Sequence, residues 1–283
     1  MALLTPNTTY TLNGVKVNEK IIPDGTKWKS ATKAITAGFK ANSNRKNQNK
    51  LCGTGKPAYV TIHNTDDIKN TNDDAEQYTR ATYNENMGSV IVHYYVDDLG
   101  AWQNAKAGTG LCKNDPENSA EVTFHSGDTS NKEGGNYTSI SLEVIMNDIK
   151  EHDDAARDNS ARMAAWFLWK NKLSIDRLVT HTYWVNKKYG YTYADVDKQC
   201  THPVKGKKWC PQYIFNSSNE TIANKNWKTY KALVKEYLDE LNSVKKEVYT
   251  IQLDVRYNSK IHAQKMVDKL ALAGFKGFVT VAK

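Results

Sequence analysis

At 283 residues, with 39% hydrophobic and 25% charged positions, the chain has room for one large core, or for one domain and a small appendage. No run of about 18 apolar residues is present, which excludes a helical membrane span, and MALLTPNTTY has neither the basic n-region nor the full apolar h-region of a secretory leader. The net charge of +8 is uneven: residues 244–283 hold eight Lys/Arg against three Asp/Glu, a balance that suits a polyanion (nucleic acid or an anionic wall) or a solvated lysine-rich face.

TYTLNGVKVN is two alternating runs about Asn13-Gly14, the signature of a type I′ hairpin. TKWKSATKAITAGFKANS reads as a short helix and NSNRKNQNK as a basic loop. AYVTIHNT is a strand with Tyr59, Thr61 and His63 on one face and Val60 and Ile62 on the other. An Asp-rich start predicts a helix over 72–87. SVIVHYYVDDLGAWQN reads as a strand, a turn at Asp98-Leu99-Gly100 and a short return strand, followed by a Gly/Asn/Ser-rich loop.

SISLEVIM is a strand with Ile140, Leu142 and Val144 opposite Ser141, Glu143 and Ile145. HDDAARDNSARMAAWFLWKNKL opens with acids and closes with lysines, which predicts a helix. DRLVTHTYW is a short strand ending near His181, and NKNWKTYKALVKEYLDELN is an amphipathic helix closing the unit near residue 243. Strands interleaved with helices predict an α/β fold, a mixed central β-sheet flanked by helices, over residues 1–243. Residues 244–283 read strand, helix, strand: a small βαβ unit with an Asn258/Ser259 cap and a stop at Gly274, too small to be stable alone.

Cys52, Cys112, Cys200 and Cys210 show no CxxC spacing, which argues against a zinc knuckle or a disulfide scaffold. In KGKKWCPQYIF, Cys210 is open to four readings: core, disulfide partner, nucleophile or metal ligand. Lys208, two residues earlier, is a solvated charge or a cation aimed at a reaction. His63 and His181 each sit at the carboxyl end of an apolar strand, the edge where α/β proteins place ligands. With one cysteine they make a His, His, Cys set that leaves a fourth tetrahedral position open on Zn²⁺.

VTIHNT, VHYYVDD, FHSGD, SISLEV and KWCP, in this order over roughly residues 55–215, resemble the type-2 N-acetylmuramoyl-L-alanine amidases, a family that includes many phage endolysins and shares its fold with peptidoglycan recognition proteins. The resemblance implies zinc held by His63, His181 and Cys210, with Pro211 stiffening the turn. It implies a zinc-bound water attacking the amide between N-acetylmuramic acid and L-alanine, Glu143 as general base, and Lys208 stabilising the oxyanion. Some relatives carry a tyrosine before the histidine of the VHY block; Val92 stands there in this chain, which points to the glutamate-dependent branch. His93 and His125 resemble positions that line the substrate groove. One departure is the 28 residues between His181 and Cys210, longer than in compact relatives; this insertion also contains Cys200 and His202.

YTIQLDVRYNSKIHAQKMVDKLALAGFKGFVTV resembles the first half of a SPOR domain, a module associated with glycan strands, which implies wall binding or a homodimer that completes the module. The expected substrate is peptidoglycan, with anionic wall polymers as possible further contacts. The expected location is the bacterial wall, reached after synthesis in a host cytoplasm without a signal peptide. A recognition protein that binds without cleaving is the other reading of the same blocks. No RNP1, OB or helix-turn-helix signature supports a nucleic-acid partner.

Overall fold

The computed structural model describes residues 3–23, 26, 56–65, 74–87, 90–109, 119–126, 133–188, 210–217 and 219–243. Lys208, Cys52, Cys112, Cys200, His202, the helix expected near residue 30 and the SPOR-like segment lie outside these residues. The chain divides into two compact units, Met1–Val244 and Lys245–Lys283.

The first unit is built on a seven-stranded sheet. Its strands are β1 (Thr8–Leu12), β2 (Val15–Glu19), β3 (Tyr59–Asn64), β4 (Tyr94–Asp97), β5 (Gly100–Gln103), β8 (Ser139–Val144) and β9 (Leu178–Thr180). They are ordered β1-β2-β5-β4-β8-β3-β9, while β6 (Ala107–Thr109) and β7 (Ser119–Ala120) form a separate ribbon. The β1–β2 and β4–β5 pairs are antiparallel and the other four are parallel, so the sheet is mixed as expected. Asn13 and Gly14 both take positive φ, 45° and 85°, as the predicted hairpin turn requires.

The helices are α1 (Ala75–Tyr83), α2 (Gly135–Thr138), α3 (Lys150–Lys170), α4 (His181–Lys188), α5 (Gln212–Phe215) and α6 (Glu220–Ser243). Asp74 caps α1 by accepting from Gln77 N at 2.6 Å, and Asp97 accepts from Ala75 N at 2.8 Å, so two carboxylates sit at the positive end of this helix. The helix ends at Tyr83, four residues sooner than residue 87, with Asn84 as its C-cap and Glu85 at φ 60° just beyond.

Alternation along β3 and β8 sorts their side chains. Val60, Ile62, Ile140, Leu142 and Val144 enter one core with Met163, Phe167 and Leu168 of α3 and Trp227 and Val234 of α6. The opposite face carries Thr61, His63, Ser139, Ser141 and Glu143, all buried. Strands hidden on both faces are the rule for parallel pairing. A polar set enclosed on one face of such a sheet must find partners there, and that face holds the site.

Candidate functional site

The β3–β9 ladder pairs Ile62 with Thr180, so the next residues on each strand, His63 and His181, emerge side by side at the carboxyl edge of the sheet. Their ring centroids are 4.7 Å apart. His181 is also the first residue of α4, so a helix starts where the sequence suggested only a strand end. Cys210 arrives from far along the chain and is fixed by α4: Thr182 N and Oγ1 donate to Cys210 O, both at 3.1 Å, and Cys210 N donates to Thr182 Oγ1 at 3.0 Å. This clamp leaves Cys210 Sγ 3.8 Å from His63 Nδ1.

One donor atom from each of His63, His181 and Cys210 lies within 4.8 Å of the others. Zn²⁺ takes imidazole nitrogen and thiolate sulfur at about 2.0–2.3 Å, so donors this close can share one ion. His63 and Cys210 are buried and His181 is half-buried, which gives the cluster one side nearer solvent.

Glu143 stands in register with His63 on one side and Tyr95 on the other, on the polar face of β8. Burial above all raises the Tyr95 hydroxyl well beyond the ordinary phenol range, and the charge of Glu143 adds to it. The carboxylate therefore sits one strand from the metal-ligand candidates, in a mostly enclosed position.

Both histidines expected in the substrate groove are buried, His93 at 0% and His125 at 4% exposure. His93 Nε2 donates to Glu121 O at 2.9 Å, and its Nδ1 accepts from Ser141 N at 3.1 Å, with Thr123 Oγ1 also 3.1 Å away. Burial lowers its pKa to about 3, a backbone bond opposing, so the ring is neutral and enclosed by its sheet neighbours. His125 touches the cluster itself: its Nδ1 is 2.8 Å from His63 Nε2, and its Nε2 donates to Gly135 O at 3.1 Å. Burial, with smaller contributions from His93 and His181, holds its pKa well below the usual range.

Several supporting residues left little trace in the sequence. Asn64 Oδ1 accepts from Ile214 N at 3.2 Å and its Nδ2 donates to Val144 O at 3.3 Å, tying β3 to the segment after Cys210. Asn136 Oδ1 accepts from His125 N and Ser126 N, at 2.9 and 2.8 Å, and so shapes the loop that presents His125. The one available signal was position: an asparagine directly after His63, and another inside the GGNYT run that leads into β8.

Imidazole, thiol and carboxylate groups are thus gathered toward the carboxyl end of the central parallel strands of a mixed sheet. The sequence profile of the N-acetylmuramoyl-L-alanine amidases matches residues 53–213, more than half of the chain, and the chain belongs to that family. No curated protein sequence matches it significantly. Similar solved structures include the catalytic domain of XlyA, at 20% identity over 77% of this chain and 98% of that one, TM-score 0.46. A mutant endolysin from Bacillus subtilis matches at 21% identity over 78% and 99%, TM-score 0.48. The hydrolase AmiA of Staphylococcus aureus, solved in complex with its ligand, matches at 16% identity over 85% and 98%, TM-score 0.46.

Proposed function

We propose that this protein is a zinc-dependent peptidoglycan hydrolase that cuts the amide between N-acetylmuramic acid and L-alanine. The observation that carries the reading is the convergence of His63, His181 and Cys210 beside Glu143, in a chain of this family. His63, His181 and Cys210 hold the ion; when bound, zinc supplies Lewis acidity toward the amide carbonyl and lowers the pKa of water from about 15.7 to about 7. Glu143 accepts a proton from the attacking water and returns it to the leaving nitrogen. Lys208, two positions before Cys210 in the chain, supplies positive charge to the tetrahedral oxyanion.

The same reading makes the protein an endolysin of a phage with a Gram-positive host, made in the host cytoplasm and acting at the wall after release. Residues 244–283 then serve as a half-module for glycan binding or for dimerisation, and their basic charge suits anionic wall polymers. Among the described residues no helix is long and apolar enough to cross a membrane.

End-group analysis of Gram-positive peptidoglycan digested by the zinc-loaded protein tests the reading. New L-alanine N-termini without new reducing sugars, lost with chelator and regained with zinc, are the expected result. New reducing ends mean a glycosidase and overturn it. Sedimentation with the wall in the absence of any new ends means a binder that does not cleave.

A further inference from the structure

We infer that His125 is a positioning residue that fixes the tautomer of His63, so that the Nδ1 lone pair of His63 is the one aimed at the metal; the inference rests on the metal site proposed above. A carbonyl oxygen can only accept, so the 3.1 Å contact between His125 Nε2 and Gly135 O places the His125 proton on Nε2. Its Nδ1 is then an acceptor, and the 2.8 Å contact with His63 Nε2 places the His63 proton on Nε2. His63 Nδ1 is left unprotonated, 3.8 Å from Cys210 Sγ. A ligand histidine whose other nitrogen donates to a fixed acceptor is the usual way a protein orients a metal-binding imidazole.

The far end of this relay is fixed independently. The indole of Trp184 can only donate, and its Nε1 gives a hydrogen bond to Thr61 Oγ1 at 2.8 Å. Thr61 Oγ1 donates to Ser139 Oγ at 2.8 Å, and Ser139 Oγ donates to Gly135 O at 2.8 Å. Ser139 thus spends its proton on the same carbonyl, and its 3.3 Å approach to His125 Nε2 does not compete for the role of donor. The direction of every bond from Trp184 to His63 follows from the two groups that have no choice. Trp184 lies three residues after His181 and Thr61 two before His63, so the relay joins both histidine-bearing segments.

The test uses the full chain with 15N-labelled histidine, with and without zinc, and the variants His125→Leu and His125→Asn. Asparagine keeps an oxygen acceptor close to the position of Nδ1; leucine removes it. We expect proton-coupled Nε2 signals for both His63 and His125 in the wild type. Zinc affinity, measured against a chromophoric chelator, should fall about 10–100-fold in His125→Leu and recover most of that loss in His125→Asn. A proton on Nδ1 of His63 in the metal-free wild type overturns the relay, even if His125→Leu fails to fold. So does a folded His125→Leu that binds zinc as tightly as the wild type. A wild type that binds no zinc yet keeps the Nε2 proton on His63 supports the relay and overturns the metal site instead.

Discussion

Thr182 holds Cys210 through both polar groups of that residue's backbone, with its hydroxyl accepting from Cys210 N at 3.0 Å and donating to Cys210 O at 3.1 Å. Replacing it by valine keeps the shape and removes both bonds, leaving the buried Cys210 N–H without this partner. A loss of about 1–3 kcal/mol in urea unfolding is expected. Zinc affinity should weaken in parallel, because of the three Thr182 bonds that hold Cys210 beside His181 the one from Thr182 N to Cys210 O alone remains.

Metal removal should be visible in stability as well as in activity. Free zinc at 1,000 times its Kd stabilises the folded state by about 4 kcal/mol. For a domain of this size that corresponds to a melting point roughly 8–16 °C above that of the chelated protein. Cys210→Ser should remove most of the difference in calorimetry; a full zinc shift in that variant would take Cys210 out of the ligand set.

Glu143→Gln separates chemistry from binding. The amide fills the same space opposite His63 but cannot accept the proton, so turnover should fall about 10²–10⁴-fold. Zinc stoichiometry should stay at the wild-type value, and wall sedimentation should persist. Unchanged turnover would assign the base to another group.

Gly135 has no room for a side chain: a Cβ would lie 2.7 Å from Cε2 and Nε1 of Trp184. Gly135→Ala should destabilise the protein by about 1–3 kcal/mol through overpacking. It should also weaken zinc binding, since the carbonyl that orients His125 belongs to the displaced residue.

Asp97 gives a pH signature unconnected with the metal. Burial raises its carboxyl from 3.8 to about 6, against the opposing bonds from Ala75 and Leu99. The folded state therefore binds this proton more tightly than the unfolded chain does. Stability attributable to Asp97 grows as pH falls from 7 toward 4 and is lost again as pH rises through about 6. Relative to Asp97→Asn, the wild type should gain about 1–2 kcal/mol between pH 7 and pH 5 in denaturant titrations.

The pattern of period two in VTIHN and SISLEV was enough to separate the apolar face from the face of His63 and Glu143, because alternation is a local property of a strand. The long helices were legible for the same reason, from apolar spacing and terminal charge. The expected strand around His93 begins later, at Tyr94, because His93 N donates to the Ser141 hydroxyl instead of joining the ladder. The links from Thr182 to Cys210 and from His63 to His125 span 28 and 62 residues of sequence. Such contacts join a side chain to one distant atom, and no local periodicity announces them.

The register that sets His63 beside His181 also distributes the site unevenly across the sheet. β3 is an interior strand with neighbours on both sides, whereas β9 is three residues long and, among the described strands, has β3 alone as its neighbour. An ion held by the proposed His63, His181 and Cys210 set would act as a rivet between interior and margin, so that loading the metal would also brace the sheet's edge.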